Sequence, residues 1–226
     1  MFSRKSRWVQ SLQHKFRERR FRTVLTIIEG QLAEKDSISI LDAGGVVAYW
    51  RMLPVELRQR VHITILNLEE SVEGDRHIER DGLTVELVAG DACNMPQYAD
   101  DSFDMVHSNS VIEHVGSYSN MFRFASEVRR VGQVYYVQTP NFWFPIDPHN
   151  GVPFLHWFPD AMRAYLNSKM RLAMYQRTEY GTALIGRIEH CRMISARMLR
   201  EFFPKADMKR ERFLLLFTKS LIVTGR

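Results

Sequence analysis

The sequence has little cysteine, no long apolar run and no low-complexity tract. Cys93 and Cys191 are the only cysteines among 226 residues, and their separation fits no metal-binding motif, so a disulfide scaffold is excluded and no metal is expected. No apolar stretch approaches the ~18 residues of a membrane span. A chain of this length buries roughly 70% of its unfolded surface and needs no covalent staple. These absences predict an ordinary globular protein of the reducing cytoplasm.

Acidic residues are scarce in one place only, the N-terminal segment. Residues 1–22 carry eight Lys or Arg and a single Glu, a net +7, whereas the whole chain carries +5, so the remainder is slightly acidic. The same segment has apolar residues at helical spacing, among them Phe2, Trp8, Val9, Leu12 and Phe16. We predict a basic amphipathic helical arm over residues 1–35. A solvated helix docked on the domain, a membrane-surface contact and a nucleic-acid contact remain open for it, the last the least favoured.

Short β-branched runs alternate with helix-compatible stretches in the first two thirds of the chain. The runs are 38–41, 61–67, 83–88, 103–107 and 133–137, and the clearest helical stretch is 118–130. This alternation predicts βαβ units and a parallel sheet. Near the C-terminus, Ser195 is placed to cap a helix, and the runs 212–217 and 221–223 predict a hairpin.

Aromatic residues and prolines crowd residues 141–159. Six aromatics there are interleaved with four prolines, which prevents regular helix or central strand. A helix from Asp160 to about Gln176 is predicted to follow. We predict one domain over residues 36–226, with an insertion at about 141–194 whose aromatics either pack on the sheet edge or cover an acceptor pocket.

The predicted strands each end in small or polar residues. These are Asp42-Ala43-Gly44-Gly45, Asn67-Leu68-Glu69, Gly90-Asp91-Ala92 and Ser108-Asn109-Ser110. Ligands of open parallel sheets bind beyond the carboxyl ends of the strands. Glycine permits close approach, an acid or amide can hold ribose hydroxyls, and an aspartate can accept from an exocyclic amine. Since no phosphate-binding loop is present, the pattern indicates a nucleoside without phosphates.

Three segments carry a family resemblance. Ile40–Gly45, Gly90–Ala92 and above all Asp101–Val115, with its D-S-F-D-x-V start and E-H-V end, resemble class I S-adenosylmethionine-dependent methyltransferases of the type 11 small-molecule group. The resemblance covers about residues 38–141. It implies a Rossmann-like, doubly wound, mostly parallel sheet, which with the predicted hairpin has seven strands. Val46, Ala48 and Asn67 depart from the family pattern of a longer glycine loop and an acid after the second strand.

The resemblance also implies roles for individual residues. The cofactor S-adenosylmethionine would be bound by the strand-end residues Asp42, Gly44, Gly45, Asn67, Leu68, Asp91, Ala92, Ser108 and Asn109. His114 would lie near the acceptor, and in-line methyl transfer would need no metal. His149 and His156, in the aromatic segment, are the other candidates for a catalytic base.

The acceptor remains open at this point. We expect a hydroxyl or amine of a small-molecule or lipid-linked acceptor, such as a sugar or glycolipid, and a cytoplasmic enzyme that contacts membrane surfaces through its arm. An RNA-modifying methyltransferase using the arm is one alternative, although Ser108–Val111 lacks the pattern typical of base-amine chemistry. A methyltransferase-like interaction module without turnover is the other, and the oligomeric state is not indicated.

Overall fold

In the computed structural model of the protein, the described residues are 7–72, 76–149, 151–169, 179–213 and 216–226, with side chains described from residue 14 onward. Phe2 of the predicted arm and the side chains of Trp8, Val9 and Leu12 therefore lie outside the described part. No helix among these residues combines the length and apolar character needed to cross a bilayer.

Within these ranges, one sheet of eight strands forms the centre of the protein. Its strands lie in the order β3-β4-β2-β1-β5-β6-β8-β7. The five from β4 to β6 are parallel, and β3, β8 and β7 are antiparallel to their neighbours. The strands are β1 (Ile38–Ala43), β2 (Val61–Asn67), β3 (His77–Arg80), β4 (Leu83–Ala89), β5 (Phe103–Asn109), β6 (Gly132–Pro140), β7 (Asp207–Phe213) and β8 (Phe217–Gly225).

The predicted α/β fold with a C-terminal hairpin is confirmed, with one strand more than the seven expected. The additional strand is β3, which pairs with β4 through a turn in which Asp81 and Gly82 both have positive φ. An Asp-Gly pair with this backbone is a common hairpin turn, so it was the local signal for the extra edge strand.

Six α-helices belong to the described part. The helix predicted for the basic arm is present, and from Phe21 onward it packs against the sheet. Ser117 and Ser195 cap their helices by accepting hydrogen bonds from Asn120 N and Met198 N, as expected for Ser195. The helices are α1 (Arg7–Leu32), α2 (Val47–Trp50), α3 (Tyr118–Val131), α4 (Asp160–Lys169), α5 (Thr182–Glu189) and α6 (Ala196–Phe202).

Two apolar layers cover the sheet, one on each face. Consecutive strand residues point to opposite faces, so Ile40 packs with α1 and Leu41 packs with α3 and α6. The chain builds the sheet from β1 outward to β4 and then crosses to the other side of β1 to build β5 and β6. This reversal leaves a crevice at the carboxyl ends of β1 and β5, where ligands bind in sheets of this kind.

Candidate active site

A buried carboxylate supports the turn that follows β1. Asp42 is 1% exposed, and its Oδ2 accepts a hydrogen bond from Trp50 Nε1 at 2.7 Å. Its Oδ1 lies 2.7 Å from Nδ1 of the buried His107 on β5. A Cβ on Gly45 would lie 1.7 Å from Asp42 Oδ2, so only glycine fits above it. Asp42 thus supports the turn from the core, and it is not among the residues that line the cleft described below.

The glycine turn lies against the ends of β2 and β5. Gly44 has a φ of +77° and donates its N–H to Leu66 O at 2.8 Å. Asn67 Nδ2 donates to Gly45 O at 3.0 Å. A carboxylate at position 67 could not donate this bond. The amide therefore closes the turn, and its Oδ1 remains an acceptor of the kind that a ribose hydroxyl needs.

The connection after β4 presents an aspartate and is fixed from behind. Asp91 is exposed, and its Oδ1 accepts a hydrogen bond from Cys93 N at 2.8 Å. The Arg130 guanidinium of α3 donates to Met95 O at 2.9 Å and to Tyr98 O at 2.8 Å. Because these bonds fix the connection to α3, the position of Asp91 is set before any ligand binds.

The end of β5 is engaged with its neighbouring strands. Ser108 is fully buried, and its Oγ donates to Ala43 O at 3.0 Å, so it ties β5 to β1. Ser110 has a φ of +60° and donates from Oγ to Gln138 Oε1 at 3.0 Å. Ser108 therefore does not border the crevice as expected, and Asn109 and Gly45 do not line it either within the described part.

A cleft of about 610 Å³ opens along this edge of the sheet. Five of the predicted cofactor residues line it, namely Gly44, Asn67, Leu68, Asp91 and Ala92, and His114 lines it as well. Sequence reasoning missed Cys93, Ser110, Val111, Gly116, Asn120, Gly186, Glu189 and His190. Those up to residue 120 are chain neighbours of predicted residues. Gly186 and Glu189 of α5 and His190 directly after it are not, and no local pattern indicates that this helix reaches the cleft.

Two of the three candidate histidines touch each other beside the cleft. His114 Nδ1 is 3.0 Å from His190 O, and His114 Nε2 is 3.0 Å from His149 Nε2. His149 Nδ1 is 2.7 Å from Asp147 Oδ1, and Cys191 Sγ is 3.3 Å from the same nitrogen. We call His114, His149 and Cys191 the histidine–cysteine cluster. It joins the turn after β5, the aromatic segment and the end of α5.

Burial and mutual contacts shift the protonation of these groups. Burial raises the pKa of Asp147, but hydrogen bonds from His149 outweigh it and bring the pKa below its ordinary value. Burial also opposes charge on His149, yet Asp147 raises its pKa, whereas burial lowers the pKa of His114. Burial raises the pKa of the neighbouring Glu113 to about 7. The cluster is therefore a partly buried region with carboxylates on one side.

The third candidate, His156, belongs to the packing of the aromatic segment. It is buried, and its Nε2 bonds to Phe142 O at 2.8 Å, an oxygen that also accepts from Trp157 Nε1. Within the described part it does not line the cleft, so a catalytic role for His156 is not supported.

Comparison with known proteins identifies the domain. Residues 43–134 match the type 11 family model described as "Methyltransferase domain". The N-terminal domain of EvdMO1, solved with S-adenosylhomocysteine bound, matches with a TM-score of 0.52 at 15% identity, over 93% of this chain and 80% of that chain. Residues 43–134 of the chain therefore carry a methyltransferase domain.

Other solved structures are similar to this chain with lower TM-scores. A SAM-dependent methyltransferase from Methanosarcina mazei has a TM-score of 0.49 at 14% identity, over 84% of this chain and 92% of that chain. The YcgJ protein from Bacillus subtilis has a TM-score of 0.44 at 15% identity, over 83% and 70%. No curated protein sequence matches the chain.

Proposed function

We propose that the methyltransferase methylates a hydroxyl or amine of a small-molecule or lipid-linked acceptor, with sugars and glycolipids in this class. The observation that carries the proposal is the cleft, which combines five nucleoside-compatible residues with an imidazole, His114, on the same wall. Its volume of about 610 Å³ lies within the range of small-molecule sites.

The residues along the cleft fit the cofactor. Gly44 allows close approach of the backbone, Asn67 Oδ1 can accept from ribose hydroxyls, and Asp91 can accept from the adenine amine. Leu68 and Ala92 provide apolar contact beside them. When bound, S-adenosylmethionine supplies a methyl group on a sulfonium, which is a good leaving group. The protein therefore contributes mainly by orienting the acceptor.

Two residues position His114 at the acceptor end. His149 contacts it at Nε2, and Asp147 holds His149 from the opposite side. Because both nitrogens of His114 are engaged within the protein, we assign its ring the role of a wall that orients the acceptor by contact, and not the role of a base. His149 and Asp147 are positioning residues.

Calorimetric titration with S-adenosylhomocysteine tests the cofactor site. We expect one site per chain for the wild type and at least tenfold weaker binding for Asp91→Ala, because a charge-assisted hydrogen bond to the adenine amine is lost, at about 1.5–3 kcal/mol. Glu201→Ala is the control, since Glu201 is an exposed carboxylate on α6 and lies outside the cleft. No heat at millimolar ligand would reject the enzyme and favour the interaction module.

An exposed aromatic patch supports a lipid surface as the place of the acceptor. Among the described residues of 141–159, none lines the cleft. They present Trp143, Phe154 and Trp157 to solvent, with Trp143 62% exposed and ring centroids 6.0 Å (Trp143–Trp157) and 4.9 Å (Phe154–Trp157) apart. We call these three residues the aromatic patch. Large exposed apolar patches mark interaction sites, and Trp is favoured at membrane interfaces.

The basic arm adjoins the segment that bears this patch. Phe213 at the end of β7 contacts Phe16 of α1 and Phe144 of the aromatic segment, at centroid distances of 6.3 and 5.9 Å. The Lys219 ammonium lies 3.7 Å from the Phe16 ring centroid. Aromatic side chains flanked by cations are typical of peripheral binding to anionic bilayers, so we extend the proposal to peripheral membrane contact.

Vesicle co-sedimentation tests this contact. We expect binding to vesicles containing phosphatidylglycerol, weaker binding in high salt, and about tenfold weaker binding for Trp143→Ala, since inserting a large apolar side chain contributes about 1.5–3 kcal/mol. Phe122→Ala, an exposed aromatic on α3, is the control. Equal binding of both variants would contradict the patch, and no binding of the wild type would contradict membrane contact.

A further inference from the structure

The hydrogen bonds around His114 and His149 leave two lone pairs facing each other. A carbonyl oxygen only accepts, so His114 Nδ1 carries the proton that it donates to His190 O. A carboxylate only accepts, so His149 Nδ1 likewise carries a proton toward Asp147 Oδ1. In neutral rings, both Nε2 atoms are then unprotonated, yet they lie 3.0 Å apart. Such a contact is repulsive unless a proton or a metal ion lies between the two nitrogens.

A thiol completes this arrangement. Single donor atoms of His114, His149 and Cys191 all lie within 4.8 Å of one another. Cys191 Sγ lies 3.3 Å from His149 Nδ1, so the thiol has to shift toward the Nε2 side of the ring to share an ion with the two Nε2 atoms. Imidazole and thiolate are the preferred ligands of zinc and similar transition metals. In protein metal sites, each histidine ligand commonly donates its other N–H to a carboxylate or backbone carbonyl, which is what Asp147 and His190 accept here.

We propose that His114, His149 and Cys191 bind one transition-metal ion of the Zn²⁺ type beside the methyltransferase cleft. Zn–N bonds of about 2.0–2.1 Å in tetrahedral geometry place two nitrogens roughly 3.3 Å apart, so the observed pair needs to open by only a few tenths of an ångström. Three protein ligands leave a fourth position for water or an acceptor oxygen. The ion joins the turn after β5, the aromatic segment and the end of α5.

Charge around the cluster comes from several elements. Burial raises the pKa of the Cys191 thiol, and the buried carboxyl groups of Asp147 and Glu113 raise it further. Arg163 of α4 and Arg187 of α5 line the small cavity, about 20 Å³, that Asp147, His149 and Cys191 share. The carboxylates favour a cation, and the guanidinium groups lie where they can balance the thiolate that metal binding creates.

The competing explanation for the short contact is a single proton shared between the two imidazoles. A shared proton does not involve Cys191, whereas the proposed metal ion is bound by the Cys191 thiolate. The two explanations are therefore separated by measuring metal binding in the full chain without cofactor, which makes the result independent of the proposed methyl transfer.

The test is metal analysis of the purified chain, followed by Co²⁺ titration of the metal-free chain. We expect about one equivalent of bound metal and a thiolate-to-cobalt absorption band. Cys191→Ser should abolish the band, and His149→Gln should weaken affinity at least tenfold. Asp147→Asn should weaken it about 10–100-fold, because the carboxylate that accepts from His149 Nδ1 is lost. Cys93→Ser and His77→Gln are matched controls that should bind as the wild type does.

Circular dichroism and thermal melting of each variant show whether it is folded. Added metal should raise the melting temperature of the wild type and of both controls, but not that of Cys191→Ser. A folded wild type that binds no Co²⁺ overturns the proposal in favour of the shared proton. Unchanged Co²⁺ affinity in folded Cys191→Ser and His149→Gln would overturn it equally.

Discussion

Replacing Asp42 by alanine is expected to lower the free energy of unfolding by about 3–5 kcal/mol, one of the largest effects of any single substitution in this domain. The carboxylate is buried and bonds to Trp50 Nε1 and His107 Nδ1, both at 2.7 Å. Alanine leaves these two buried groups without their acceptor and removes the support beneath Gly45. For a chain of this size, the melting temperature should fall by roughly 10 °C.

Two further variants, Asp42→Asn and Asp91→Ala, show whether the effect of Asp42→Ala comes from lost stability or from lost cofactor binding. The asparagine keeps the volume and one acceptor oxygen, so it should destabilise less than alanine does. Asp91 is exposed, and its replacement should change stability by about 0.5 kcal/mol or less while weakening cofactor binding. Chemical denaturation and calorimetry with S-adenosylhomocysteine measure the two properties separately. A stable Asp42→Ala variant that fails only to bind ligand would show that Asp42 contacts the cofactor directly.

The contrast between these two aspartates shows what the sequence could predict about the site. Both follow a buried strand beside a glycine, and the pattern assigns both to the cofactor. Their surroundings differ because Trp50, eight residues from Asp42, and His107, on the neighbouring strand, both contact Asp42 and bury it, whereas Asp91 is exposed. Such a contact depends on which strands become neighbours, and a local pattern does not contain that information.

The fold was predictable to a greater extent because it follows from local periodicity. Alternation of β-branched runs with helical stretches was sufficient to predict the parallel strands and the final hairpin. The short antiparallel strand β3 was not predicted, because His77–Arg80 is mostly exposed and polar. Only the Asp81-Gly82 turn indicates it. Pattern methods detect buried faces, and this edge strand has almost none.

The histidine–cysteine cluster, in contrast to the fold, could not be predicted from the sequence. His114, His149 and Cys191 are separated by 35 and 42 residues, and they meet because three irregular connections converge on one edge of the sheet. The sequence indicated His114 and His149 as two separate candidates for a catalytic base, and it indicated no metal-binding role for Cys191. Asn67 also depends on a contact that the local pattern does not contain. Its amide donates a hydrogen bond to Gly45 O, which accounts for an asparagine where the family pattern has an acid.

Gly44→Ala is expected to have the second largest effect, on both stability and ligand binding. Gly44 has a φ of +77°, where an L-residue costs about 1–2 kcal/mol. The added Cβ would also lie 2.5 Å from Val111 Cγ2. Gly44 and Val111 both line the cleft, so their separation would alter the surface on which the nucleoside rests. We expect a loss of about 2–4 kcal/mol in stability and at least tenfold weaker binding of S-adenosylhomocysteine.

A second substitution separates the two causes. Val111→Ala in the Gly44→Ala background removes the collision but not the backbone strain, so it should restore part of the stability and of the affinity. Gly186→Ala is the control, because Gly186 also lines the cleft but lies within α5 with no atom within 4 Å of a built Cβ. It should be neutral or stabilising by up to about 1 kcal/mol. If Gly186→Ala and Gly44→Ala impaired binding equally, with no recovery in the double variant, crowding of the cleft rather than the shape of the turn would govern affinity.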